Sequence, residues 1–231
     1  MRPHVIINMA MSVDGKVSSS AQEPVAFTSR EDRRLLLKIR SRCDAMIVGS
    51  HTVALGYQDM GISNPLLRAA RLRRGQTEYP LRVIVSGRLN LSRTLGLFKA
   101  PISPILIACC ESAPRSRRHE FSRLGHLIVC GRSEVDIPRL FSLLATNYRV
   151  RIILCEGGPT LNDALFRSGW VNELYLTLSP RIVGGRNAPT LVEGMGCNRL
   201  QDAARGRLVA CRKDETEWFL RYKFGRHSIS G

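Results

Sequence analysis

The residues Cys155-Glu156-Gly157-Gly158-Pro159-Thr160-Leu161-Asn162 concentrate more potential chemistry than any other stretch of the chain. An apolar run, VRIILC, enters two glycines and then a helix start with proline where a first turn favours it. Glycines without side chains let backbone N–H groups approach an anion, and a helix N-terminus adds about half a unit of positive charge. The stretch is neither the dinucleotide G-x-G-x-x-G nor a P-loop, so a standard Rossmann site is disfavoured. Taken alone it reads equally well as a phosphate cradle or as a tight strand–helix turn. Gly49-Ser50-His51-Thr52 also follows a strand, and offers a small backbone with two hydroxyls, or simply a capped turn. Ser12-Val13-Asp14-Gly15-Lys16 places a carboxylate and an ammonium at a strand end, where they orient a polar substrate, supply a proton, or merely decorate a reverse turn. Ser179-Pro180-Arg181-Ile182-Val183-Gly184-Gly185 is a further glycine loop or a wide surface turn.

Each of these stretches needs a strand behind it, and the hydrophobic pattern supplies one. Strands are expected at His4–Met9, Asp44–Gly49, Leu81–Ser86, Pro104–Cys110, His126–Cys130, Val150–Cys155 and Val171–Leu178. Arg207–Cys211 and Glu217–Tyr222 form a closing hairpin. Helices are expected from a Thr28-Ser29 cap to about Arg42, over Pro114–Leu124, over Val135–Tyr148, and from Pro159 to just before Gly169. Residues 55–80 form a long connection with a basic helical piece, RAARLRR. Strands alternating with helices and ending in consecutive strands indicate an α/β fold with a mostly parallel sheet and an antiparallel edge. A single domain over residues 1–231 accommodates it.

Composition narrows the class. With 44 % apolar and 23 % charged residues, the chain is ordinary globular material, which excludes disordered, collagenous and coiled-coil proteins. No run approaches a membrane span and the N-terminus does not resemble a signal peptide, so a cytoplasmic location is expected. The seven cysteines are odd in number and lack C-x-x-C spacing, and are read as buried, reduced thiols. His51, His119 and His126 are isolated, lack metal-ligand spacing and read as structural or exposed rather than as a base, and no metal is expected. A net charge of +16 invites a nucleic-acid reading. The arginines are scattered, however, and the clusters at 68–75 and 114–120 carry no interleaved aromatics, so each reads first as a solvated face.

In combination the motifs go further. N-M-A-M-S-V-D-G-K (8–16), F-T-S-R-E-D-R-R (27–34), D-A-M-I-V-G-S-H-T-V (44–53), L-R-V-I-V-S (81–86), C-E-G-G-P-T-L-N (155–162) and S-P-R-I-V-G-G-R-N-A-P (179–189), in this order, resemble the riboflavin-pathway pyrimidine reductases over about residues 3–223. The resemblance implies a dihydrofolate-reductase-like fold, a homodimer, and NADPH as cofactor. It further implies reduction of the ribosyl group of a pyrimidine ribosylamine 5′-phosphate to a ribityl group. The family's cofactor positions fall on Gly49, Ser50, Thr52, Val53, Ser86, Gly157, Gly158, Thr160 and Leu161. Its substrate positions fall on Asn8, Ser12, Asp14 and Thr28, with Arg40 near the 5′-phosphate and Glu156 near the ribose. Glu156, Asp14 and Lys16 are the candidates for proton handling, with water as the other source.

The chain departs from the family after Val53, where Gly56 stands in place of an expected carboxylate. The pattern resumes at Asn64-Pro65-Leu66-Leu67, with Arg68 or Arg71 as its basic member. Asn8, where two-domain bacterial members carry Lys, looks more like the stand-alone type that acts before deamination. The deaminase signature H-x-E with P-C-x-x-C is missing from this sequence. Two alternatives stand beside this reading. One is a dihydrofolate- or dihydropterin-type reductase of the same fold; the other is a basic nucleic-acid binder on a degenerate reductase fold.

Overall fold

A computed structural model describes residues 2–22, 29–56, 60–100 and 102–225. The strands are β1 (His4–Ser12), β2 (Ala45–Gly49), β3 (Leu81–Val85), β4 (Ile105–Cys109), β5 (His126–Val129), β6 (Ile152–Cys155), β7 (Val171–Ser179), β8 (Gly206–Asp214) and β9 (Glu217–Phe224). The helices are α1 (Arg30–Arg40), α2 (Ser50–Ala54), α3 (Pro65–Arg73), α4 (Gly96–Lys99), α5 (Arg115–Phe121), α6 (Ile137–Asn147) and α7 (Pro159–Arg167). Two compact units result, one built on residues 37–154 and the other on residues 4–36 together with the chain from Cys155 onward.

In the first unit the strand order is β5-β4-β3-β2-β6. The pairs β2–β3, β3–β4 and β4–β5 are parallel. Ile47, Val48, Val83, Ile84, Leu106 and Ile107 are fully buried, which is why these strands read as unbroken apolar runs. Among the connecting helices, α6 shows most plainly how sequence sets structure. The Asp136 carboxylate accepts from the Arg139 N–H and Pro138 sits in the first turn. Ile137, Leu140, Phe141 and Leu144 then form the buried stripe at helical spacing. Helix α3 begins the same way: Asn64 Oδ1 accepts from the N–H groups of Leu66 and Leu67, with Pro65 at the first position.

In the second unit the order is β1-β7-β9-β8. Strands β1 and β7 are parallel in a register that ends at Ser12↔Ser179, whereas β7–β9 and β8–β9 are antiparallel. Ser29 Oγ accepts from the Asp32 N–H and caps α1, as expected from Thr28-Ser29; Thr28 itself lies outside the described residues. Asp32 is buried and accepts from the Thr177 hydroxyl on β7, which docks the start of α1 on the sheet. Burial pushes the Asp32 carboxyl up, the Thr177 hydroxyl opposes that shift, and nearby Glu217 adds to it.

Several expectations need correction. Strand β1 continues three residues past Met9, because Ala10, Met11 and Ser12 keep their pairing with Thr177, Leu178 and Ser179. The turn at Ser50–Thr52 is a short helix, α2, which inserts Val53 into the core. Two cysteines, Cys197 and Cys211, are exposed rather than buried, one in a loop and one on β8. The other five are buried free thiols, and burial raises Cys109 to about 11 and Cys155 to about 12.

The basic clusters are also more than solvated faces. Arg71 is 1 % exposed and donates to the carbonyls of Arg40, Ser41, Cys43 and Thr77. Arg82 does the same for Leu97, Ala100 and Ser103, and Arg117 for Leu89 and Leu91. A guanidinium has five fixed donors and no acceptor, so it can gather several backbone carbonyls that no strand or helix satisfies.

Candidate active site

Within the first unit, the expected cofactor residues collect at the C-terminal ends of adjacent parallel strands. Gly49 pairs with Val85 at the last register position, so Ser50 and Ser86 emerge side by side. Gly49 is extended and starts α2, in which Thr52 is half-buried and Val53 fully buried. Ser86 is buried and its N–H donates to the Ala108 carbonyl, continuing the β3–β4 ladder past the strand end. In open α/β sheets, ligands settle at this edge of the strands.

Arg40, at the end of α1, is 2 % exposed and donates through Nη1 to the Gly61 carbonyl at 2.7 Å. Arg68 donates through Nη1 to the carbonyls of Ile62 and Ser63 and through Nε to Glu78. The two arginines therefore grip consecutive carbonyls of the 61–63 segment. Asn64 directly follows that segment, and its side chain caps α3. Of the two basic candidates, Arg71 is buried on interior carbonyls, whereas Arg68 is partly exposed beside Asn64.

Within the second unit, β1 carries the buried Asn8 toward Ser12. The Ser12 hydroxyl donates to Asp14 Oδ1 at 2.5 Å and accepts from the Lys16 N–H. Asp14 also accepts from the N–H groups of Val183 (3.1 Å) and Gly184 (2.7 Å). These bonds, led by that from Ser12, hold the Asp14 carboxyl down at about 2. Lys16 Nζ donates to the Ala188 carbonyl, and its backbone bridges Thr190. The strand-end turn and the glycine loop after β7 are thus tied together by the Asp-Gly-Lys residues.

The E-G-G turn follows β6. Glu156 is 8 % exposed. Gly157 has φ of +91°, and a Cβ there would stand 3.1 Å from Met9 Sδ on β1. The turn needs glycine for both conformation and space. Helix α7 starts at Pro159 with Gly158 as its cap residue and no side-chain cap, so its first turn presents backbone N–H groups at Thr160 and Leu161. Leu161 itself is buried. Two glycines leading to an uncapped helix start leave backbone N–H groups free at the end of a tight strand–helix turn.

Sequence reasoning missed the strap that braces α7. Asn162, fully buried, accepts from the Cys155 thiol and donates to the Leu191 carbonyl, while the Glu193 N–H donates to the Pro159 carbonyl. A Cβ on Gly194 would overlap the Asp163 carboxylate, so the strap lies flat against the helix. Its sequence, TLVEGMG, has no period to reveal that; Gly194 was the available signal.

Among the described residues, no group of His, Cys, Asp and Glu side chains could hold a metal ion, and no helix is long and apolar enough to cross a membrane. Each unit thus offers the kind of place where α/β enzymes bind ligands: the ends of parallel strands in one, a glycine-lined helix start in the other. The chain matches the RibD C-terminal domain over residues 3–220, and it belongs to that family. It is 35 % identical over 207 residues to the 2,5-diamino-6-ribosylamino-4(3H)-pyrimidinone 5′-phosphate reductase of Methanothermobacter thermautotrophicus, covering 89 % of this chain and 90 % of that one. The protein of the same name from Aquifex aeolicus is 33 % identical over 228 residues, covering 94 % and 96 %. Among solved structures, a pyrimidine reductase-like protein from Corynebacterium diphtheriae superposes with a TM-score of 0.83 at 22 % identity, covering 97 % of this chain and 93 % of that one. That likeness supports the dihydrofolate-reductase-like fold expected from the sequence.

Proposed function

We propose that the chain reduces the ribosyl group of a pyrimidine ribosylamine 5′-phosphate to the ribityl form, with NADPH as reductant, as a step of riboflavin synthesis. The observation that carries this reading is the near-full-length similarity to reductases named for the 2,5-diaminopyrimidinone, together with an intact E-G-G-P-T-L-N turn. The diamino substrate is assigned on the same ground. The two units act as one reductase domain in this reading.

Gly157, Gly158, Thr160 and Leu161 would hold the cofactor diphosphate, with Gly49, Ser50, Thr52, Val53 and Ser86 along the rest of the molecule. NADPH supplies the hydride when bound. Glu156, at the end of β6 and mostly shielded from water, is assigned to the substrate ribose and its proton. Asn8 and Ser12 hold the pyrimidine side, together with Thr28. Asp14 and Lys16 support the chemistry by fixing the loop after β7, since an Asp14 carboxyl held at about 2 is ionised at neutral pH and has no proton to donate. Arg40 and Arg68 are assigned the 5′-phosphate, and Asn64 the segment beside it; a guanidinium suits phosphate through paired donors.

We further infer a homodimer in the cytoplasm. Edge strand β8 is exposed along nearly its whole length, with Leu208 and, on β9, Trp218 open to solvent. All seven cysteines are free thiols, as a reducing compartment keeps them. Loss of NADPH absorbance with the diaminopyrimidinone and aminouracil ribosylamine phosphates, measured side by side with dihydrofolate, tests the assignment. Turnover of the diamino compound is the expected result. Robust turnover of dihydrofolate instead would overturn it in favour of the pterin-type alternative.

A further inference from the structure

The N-terminal ends of β2 and β6 carry a second feature, within the first unit and at the opposite edge of the sheet from Gly49 and Ser86. An open depression of about 570 Å³ is lined by Arg42, Asp44, Arg74, Gln76, Arg151 and Ile152. Strand β2 separates it from Gly49 by five residues, roughly 16 Å at about 3.3 Å per residue.

Its electrostatics are unbalanced. The Asp44 carboxylate accepts from the N–H groups of Arg151 and Ile152 through Oδ2 and from the Gln76 amide through Oδ1. All of its bonds therefore come from neutral donors, and no guanidinium is paired to it. Arg74 donates to Gln76 and to the Ser41 carbonyl. Among the described residues, the guanidinium groups of Arg42 and Arg151 have no acceptor. Behind the wall, Arg71 donates to the Cys43 carbonyl at 2.6 Å, placing a fourth positive charge beside the same turn. Four guanidiniums against one carboxylate leave about three positive charges around one concavity. Like charges around one concavity repel, and an anion bound among them would relieve that repulsion.

The geometry points to a second anion site, distinct from the cofactor cradle, that takes a phosphate-class dianion between Arg42 and Arg151, with Arg74 at its side. Two unpartnered planar forks facing one depression can each offer paired N–H donors to a tetrahedral anion. The same chemistry would recognise free inorganic phosphate or the phosphate of a nucleotide. Binding there ties together the turn before β2, the segment after α3 and the start of β6. It leaves the strand ends that carry Gly49 and Ser86 untouched.

Isothermal titration of the whole chain at low ionic strength, saturated with NADPH, tests this with inorganic phosphate and with adenosine 5′-monophosphate as probes. Saturable binding that NADPH and the reductase substrate fail to displace is expected. Arg42→Gln/Arg151→Gln should bind phosphate at least about tenfold more weakly with kcat and KM unchanged. Arg42→Lys/Arg151→Lys should fall between, because charge remains while the paired donors are lost. Tighter binding of phosphate identifies the free anion as the ligand, and tighter binding of the monophosphate identifies a nucleotide. The proposal is overturned if substrate or NADPH removes all phosphate binding, if the double Gln variant binds as the parent does, or if no saturable binding occurs. None of the three overturning results depends on turnover, so failure here leaves the reductase assignment standing.

Discussion

In the proposed function, Glu156, Gly157 and Asp14 have three different tasks. Glu156 lies mostly out of water just past the end of β6, and the proposed function gives it the substrate ribose. Glu156→Gln is expected to lower kcat about a hundredfold while the KM for NADPH stays within twofold, read from steady-state rates. Gly157 holds a backbone conformation that costs an L-residue about 1–2 kcal/mol, and Met9 crowds the space a side chain would need. Gly157→Ala should therefore lower stability by at least that amount in a denaturant titration and weaken NADPH binding with it. A variant as stable as its parent would mean the turn relaxes elsewhere. Asp14 works differently, through the Val183 and Gly184 amides it accepts from. Asp14→Asn should speed amide exchange at those two positions, and the native protein should show no limb from Asp14 in its pH–rate profile near neutrality.

At the scale of elements, the strands were legible because each buried strand is a short apolar run closed by glycine, proline or a polar turn. Helix α6 was legible because Ile137, Leu140, Phe141 and Leu144 recur at helical spacing; its Asp136 cap and Pro138 came only with the structure. Helix α2 was not: Ser50-His51-Thr52-Val53-Ala54 is one polar turn with a single buried residue, and no periodicity accumulates over so short a span. The glycine turn after β6 was recognisable from residue types alone, whereas the strap that braces α7 is made of contacts between distant segments. The arginines mark the same boundary. RAARLRR reads as a surface helix by composition, yet Arg71 serves four backbone carbonyls drawn from two connections. Arg71→Lys should then cost about 3 kcal/mol or more in a denaturant titration, since one ammonium cannot reproduce a fork serving that many acceptors. A loss no greater than that of an exposed arginine would place those carbonyls in contact with water.

For the molecule as a whole, a net charge of +16 looked at first like the footprint of a polyanion partner. Much of it has other uses. Arg40, Arg71, Arg82 and Arg117 hold connections, and Arg221 pairs with Glu173 through two bonds at 2.8 and 3.0 Å. Burial raises the Glu173 carboxyl, but hydrogen bonds from His4 and Arg221 outweigh it and bring the group down to about 2. A depressed carboxyl stabilises the fold above its unfolded value. That stability disappears as pH falls from the ordinary glutamate value of 4.5 toward about 2. Acid unfolding is accordingly expected to steepen across that window, and Glu173→Gln should flatten it; an unchanged acid limb would assign the loss to other carboxyls.

The interior arginines have a further consequence for reagents rather than ligands. A dicarbonyl compound that attacks guanidinium groups must reach both terminal nitrogens. Arg71 and Arg82 are each no more than 2 % exposed. The chain should therefore show two kinetic classes of arginine. The fast class reports the charged exterior. The slow class reports how often the connections between strands open, which makes it a clock for local unfolding built into the composition itself.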